Sequence, residues 1–153
     1  IGQGGVRLGL TREEIGLAAR EIGTDQLLLE EMVDDGVAEL LIGVTCDDAH
    51  GFVLTLGAGG GLTEMLKDTV SLLIPSGDAQ VEQALRRLNC VPLLFGYRGR
   101  PAADMATILS TVRSVQAYVI ANAKTIAEVE INPLICTPDR AVAVDALIRK
   151  AAK

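Results

Sequence analysis

Residues 37–57, VAELLIGVTCDDAHGFVLTLG, place two apolar runs on either side of the short polar stretch Asp48, Ala49 and His50. Runs of this kind, parted by a tight turn, read as the two strands of an antiparallel hairpin. A hairpin alone is marginal in water, so the rest of the chain has to supply more strands and a layer to cover their apolar side. It has the means. Thr11 and Glu14 have capping-box spacing ahead of IGLAAREIG, with Gly23 as the helix stop. QLLLEEMV reads as a further apolar strand. GAGGGLTEMLKD reads as a glycine-rich loop running into Glu64 and Asp68, and TVSLLIP as a strand stopped by Pro75. Asp78 is expected to cap a helix over 79–88. Met105, Ile108, Leu109, Val112, Val115 and Val119 recur at helical spacing and predict a long amphipathic helix from about Asp104 to Ala123. IAEVEINPLICT and RAVAVDALI predict a last pair of strands turning at PDR. Successive hairpins, rather than strict strand–helix alternation, favour an α+β fold, with helices packed on a largely antiparallel sheet.

Composition sets limits on partners. The 153 residues are 49% hydrophobic and 22% charged, which suits one packed domain over residues 1–153 and not a disordered chain. Twenty acids against 14 Lys and Arg give a net charge of −6, a balance that repels phosphate backbones and anionic lipid, so neither nucleic acid nor a membrane is expected as a partner. No apolar run approaches the roughly 20 residues of a membrane span. Cys46, Cys90 and Cys136 are scattered and odd in number, which fits reduced thiols in a cytoplasmic protein. No signal peptide is visible, and a start at Ile1 rather than Met fits a chain shorn of its N-terminus.

The stretch EVEINPLIC, 128–136, carries acids where a buried strand is expected. Glu128, Glu130 and Asn132 alternate, so they share one face while Val129 and Ile131 take the other. A turn at PDR brings Asp145 opposite Asn132 across the ladder. Two or three oxygen ligands without histidine or cysteine suit a hard cation such as Mg²⁺, completed by water and substrate phosphates. The same spacing also fits acids facing solvent on an edge strand that ends at Asn132-Pro133.

EINPL followed by an acid on the next strand resembles the metal-binding end of the ATP-grasp fold in NDP-forming acyl-CoA synthetases, relatives of succinyl-CoA synthetase β subunits. GGVRLGL, LLLEEMVDDGVAELLIGVTCDDAHGF, TLGAGGGLTEMLKDTVSLLIP and LLFGYRGRPAAD are similar to that family's blocks in the same order, covering nearly the whole chain. The resemblance implies the larger C-terminal lobe of an ATP-grasp module. The partners it implies are adenine nucleotide (ATP or ADP), the other ATP-grasp lobe and the CoA-binding and CoA-ligase domains of the same enzyme, with room for a homo-oligomer.

The resemblance also implies roles. Asn132 and Asp145 would hold Mg²⁺, with Glu130 beside them. Glu31, Met32 and Val33 would meet the adenine edge and Glu39 the ribose hydroxyls, although Glu30 and Glu31 also read as exposed charges beside a core strand. Gly59 and Gly60 would bring backbone N–H groups to phosphate. Arg98 would contact phosphate or acyl phosphate, or else lies free on the surface. Three departures stand out: the family's ATP-binding lysine block is not in the chain, Phe95 stands where relatives often have an acid, and His50 reads as a turn residue rather than a phosphohistidine. The whole enzyme would interconvert acyl-CoA, ADP and phosphate with acid, CoA and ATP. The alternatives are a nucleotide-sensing regulatory module of a protein acetyltransferase and a purely structural interface.

Overall fold

The computed structural model describes residues 5–62 and 68–151, in two compact units, Ile1–Asp34 and Asp35–Lys153.

In the first unit, helix α1 spans Ile15–Ile22 and Gly23, at φ 69°, closes it by donating to Ala19 O at 3.3 Å. The Thr11–Glu14 pairing forms, but ahead of the helix: the Thr11 N–H and hydroxyl both donate to Glu14 Oε2 at 2.8 Å. These bonds hold Glu14's carboxyl below the usual carboxylate range. The strand expected over QLLLEEMV is not there. Residues 26–33 have no regular structure, and Leu27, Leu28 and Leu29 are exposed. A strand exists through its ladder, and the sheet order among the described residues has no strand here.

In the second unit, β1 (Ala38–Asp47) and β2 (Gly51–Ala58) form the predicted hairpin. Asp47 Oδ1 holds its turn, accepting from the Ala49 and His50 N–H groups and from His50 Nδ1. β3 (Thr69–Leu73) adds to β2, and β4 (Ile126–Cys136) lies on the other side of β1. The single strand expected after PDR is two: β5 (Ala141–Ala143) and β6 (Ala146–Lys150), both paired with β4. Every pairing is antiparallel, in the order β3-β2-β1-β4-β5 with β6 also on β4.

Alternation then sorts the faces. Leu40, Ile42 and Val44 of β1, Leu54 and Leu56 of β2 and Val129, Ile131 and Leu134 of β4 enter one core with helices α2 (Asp78–Leu85), α3 (Val91–Leu94) and α4 (Met105–Ala121). The long helix starts where expected, and Asp104 caps it by accepting from the Ala106 and Thr107 N–H groups. The cap of α2 is instead Gly77, while Asp78 sits in the first turn and pairs with Arg113 of α4. That helix stops short of Leu88 because i→i+3 bonds from Arg87 and Leu88 tighten its end. Gln116, buried in α4, replaces solvent for the Ser76 backbone, accepting from its N–H at 2.7 Å and donating to its carbonyl at 3.0 Å. The alternate residues of β1, Glu39, Leu41, Gly43 and Thr45, turn to the other face, where they are half-buried or exposed. No described helix is long and apolar enough to cross a membrane.

Candidate functional site

The acids of EVEINPLIC lie on that other face. Glu128, Glu130 and Asn132 are half-buried, while Val129 and Ile131 are buried in the core. Glu128 is matched across the ladder by Arg149, 3.2 Å away. Glu130 has Gly43 opposite on one side and Leu147 on the other, so neither neighbouring strand offers it a cation at that register. The peptide bond after Asn132 is cis. Asn132 N–H donates to Asp145 O at 3.2 Å, and Val144 N–H to Pro133 O at 3.1 Å. The predicted juxtaposition of Asn132 and Asp145 is therefore present, at the break between β5 and β6.

The glycine-rich loop closes on the same place from the far side of β1. Gly59 N–H donates to Glu39 O at 2.8 Å, and Gly60 N–H donates to Asn132 Oδ1 at 3.0 Å. Gly59 is required by space, and Gly60 by its left-handed backbone. A Cβ on Gly59 would stand 2.5 Å from Leu40 C, and one on Gly60, at φ +64°, would stand 1.6 Å from Glu39 Oε2. The Glu39 carboxylate thus overlies Gly60, the glycine that orients Asn132. The amide oxygen of Asn132 keeps a second lone pair beyond the Gly60 bond. Asp145 is exposed, with its carboxylate open to solvent.

This donor set fits a hard cation. It offers oxygens only, and among the described residues no three His, Cys, Asp or Glu side chains gather into a metal cage of their own. A divalent ion held here would draw on one or two protein ligands and complete its shell from elsewhere, which is how Mg²⁺ binds beside phosphates.

Arg98 sits in the loop after α3 in a left-handed conformation, φ 49°, between Gly96 and Gly99, with its guanidinium 5.2 Å from the Tyr97 ring. Phe95 carries Arg86 over its ring at 4.0 Å. The loop is tied to the sheet end by Ala103 N–H to Leu94 O and Asp104 N–H to Thr137 O, both 2.9 Å. Glu31, Met32 and Val33 belong to the first unit, and Glu64 lies outside the described residues. Asp68, legible in the sequence only as the end of the glycine-rich loop, is the one charged side chain buried among the described residues. It accepts from Asn89 N–H, Asn89 Nδ2 and Cys90 N–H at 2.9, 3.0 and 3.0 Å. Burial first, and Asp68 next, push the Cys90 thiol up to about 11. Burial does the same for Cys136, to about 12.

Comparison with known protein families matches residues 3–149 to the ATP-grasp domain. The chain belongs to the ATP-grasp family. Among its relatives, this ATP-grasp domain is 37% identical over 132 residues to a trans-feruloyl-CoA synthase from an unknown prokaryotic organism, covering 84% of this chain and 18% of that protein. It is 32% identical over 121 residues to the ADP-forming acetate–CoA ligase of Methanocaldococcus jannaschii, covering 76% and 17%. The domain thus spans about a fifth of those proteins' length. Among solved structures it superposes on the acetyl-coenzyme A synthetase 1 of Ca. Korarchaeum cryptofilum with a TM-score of 0.86 at 30% identity, covering 97% of this chain and 68% of that one. That structure holds coenzyme A and Mg-AMPPCP. The ATP-grasp domain is homologous to ADP-forming acyl-CoA ligases, and its antiparallel sheet with helices on one face is their fold.

Proposed function

We propose that this ATP-grasp domain is the larger, C-terminal nucleotide-binding lobe of an ADP-forming acyl-CoA synthetase, and that it binds ATP or ADP with Mg²⁺ against the Gly59–Gly60 arm. The observation that carries the reading is the convergence of Gly60 on Asn132, with Asp145 across the ladder and Glu39 over the glycine. In this reading Asn132 and Asp145 hold the ion, with Glu130 beside them. When bound, the ion neutralises phosphate charge as it shifts during phosphoryl transfer. The Gly59 and Gly60 N–H groups are spent on Glu39 O and Asn132 Oδ1, so the arm acts on the phosphates through the Asn132 amide that it orients. Arg98 adds a guanidinium suited to a phosphoryl or acyl-phosphate oxygen pair. Within the second unit, the Glu39 carboxylate accepts from the sugar hydroxyls. Loop residues 26–33 have exposed leucines, which fits a segment covered by another lobe of the enzyme.

The parent enzyme would couple acyl-CoA, ADP and phosphate to acid, CoA and ATP. Its acyl group and CoA would be bound by domains beyond this one. The acetyltransferase-linked reading has no observation in its favour, since the named relatives are ligases and synthases. Calorimetry with Mg·ADP, against metal-free ADP and Mg²⁺ alone, tests the assignment. The isolated domain should bind Mg·ADP at roughly −5 kcal/mol, a high-micromolar affinity, because an open half-site leaves phosphates wet and screened. Asn132→Ala and Asp145→Asn should each weaken Mg·ADP about tenfold and leave metal-free ADP unchanged. Mg·ADP binding that survives Glu39→Ala, Asn132→Ala and Asp145→Ala combined would place the nucleotide elsewhere.

A further inference from the structure

The buried carboxylate of Asp68 serves none of the roles above, yet it stands between two of them. Burying a charge without a cation partner is costly unless hydrogen bonds satisfy it. Here the bonds come from one short segment, Asn89–Cys90, through two backbone N–H groups and one side-chain amide. Cys90 leads directly into α3, and Leu94 at the end of α3 accepts from Ala103 N–H, which closes the loop carrying Tyr97 and Arg98. On its backbone side Asp68 does something different. Its carbonyl accepts from Ala58 N–H at 3.1 Å, fixing the base of the arm from which Gly59 and Gly60 reach Glu39 and Asn132. One residue therefore anchors the glycine arm by its main chain and the arginine loop by its side chain.

From this geometry we infer that Asp68 is a positioning residue that fixes the Gly59–Gly60 arm and the Tyr97–Arg98 loop in one register, so that the Asn132 amide oriented by Gly60 and the Arg98 guanidinium serve the same nucleotide phosphates. The inference rests on the nucleotide reading above for its functional half only. A carboxylate is needed because all three partners are donors. An asparagine in its place would turn an NH₂ group toward one of those N–H groups and lose at least that bond.

The test pairs Asp68→Asn with Val112→Ala, a core variant on α4 chosen to lower stability by a comparable amount. Amide hydrogen exchange is followed at Gly60 and Ala103, and calorimetry compares ADP with adenosine. Asp68→Asn should speed exchange at least about tenfold at both amides. It should weaken ADP at least about tenfold and adenosine less than about twofold, and Val112→Ala should do neither. Asn89→Ala, at an exposed position, removes one of the three donors and serves if Asp68→Asn fails to fold. It should give the same pattern at smaller amplitude. Faster exchange confined to Asn89 and Cys90, with Gly60 unaltered, would overturn the inference and leave Asp68 a local loop anchor. If wild-type protein binds no ADP, the nucleotide reading falls, while the exchange arm still decides whether Asp68 couples the two loops.

Discussion

Adding one methyl group at Gly59 and at Gly60 should have unequal costs, and the inequality follows from what each new Cβ would strike. At Gly59 the nearest atoms are Leu40 C at 2.5 Å, its O at 2.6 Å and its N at 2.9 Å, all main chain. Leu40 is in β1, paired with Ala58 on one side and Leu134 on the other. It cannot move aside without disturbing two ladders. The cost should reach about 3 kcal/mol, the upper end of overpacking penalties. At Gly60 the nearest atom is Glu39 Oε2, the far end of an exposed and flexible side chain, which can swing away. What remains is the left-handed backbone at φ +64°, worth about 1–2 kcal/mol for an alanine. In urea, Gly59→Ala should lose about twice what Gly60→Ala loses at unchanged m, and thermally about 6–12 °C against 2–8 °C. Because the Glu39 clash relaxes easily, Glu39→Ala should recover no more than about 0.5 kcal/mol of the Gly60→Ala loss. If Gly60→Ala were the more damaging, or Glu39→Ala restored most of its stability, the assignment of cost to backbone rather than side chain would be wrong.

Three further outcomes are expected. Gln116→Ala leaves the Ser76 N–H and carbonyl without their buried partners and should cost about 2–3 kcal/mol in urea denaturation; a loss below about 0.5 kcal/mol would mean water replaces the amide. The Asp47 carboxyl is held low by His50 and by the His50 and Ala49 N–H groups, so its contribution to the β1–β2 turn is present above the usual aspartate range and lost as pH falls through its folded value. In a nuclear magnetic resonance titration Asp47 should therefore protonate below the usual aspartate range, and His50→Ala should bring it back up. With Cys90 and Cys136 pushed up to about 11 and about 12 and Cys46 exposed, iodoacetamide at pH 8 should label Cys46 alone in the folded protein, because the thiolate is the nucleophile. Prompt labelling of Cys136 would show that the core opens there.

The sequence determined most of what alternation and turn chemistry can decide. The hairpin of β1 and β2, the long helix α4 and the shared face of Glu128, Glu130 and Asn132 were all legible, because each depends on residues within a few positions of one another. The meeting of Asn132 with Asp145 was legible for the same reason, since a short turn fixes the register on either side of it. What only the tertiary structure decided involves partners far apart in the chain. QLLLEEMV has the composition of a strand, but a strand needs a neighbour to bond with, and nothing local says whether one is there. The division of the last strand at Val144–Asp145 is marked by no glycine or proline in RAVAVDALI; it keeps one register against β4 on either side, Leu134 opposite Ala143 and Ile131 opposite Ala146. Gly60 reaches Asn132 across 72 positions of sequence, and Asp68 reaches Asn89 across 21. Periodicity cannot see such pairs. It reports which face a side chain takes, whereas the closure of the sheet decides what that face meets.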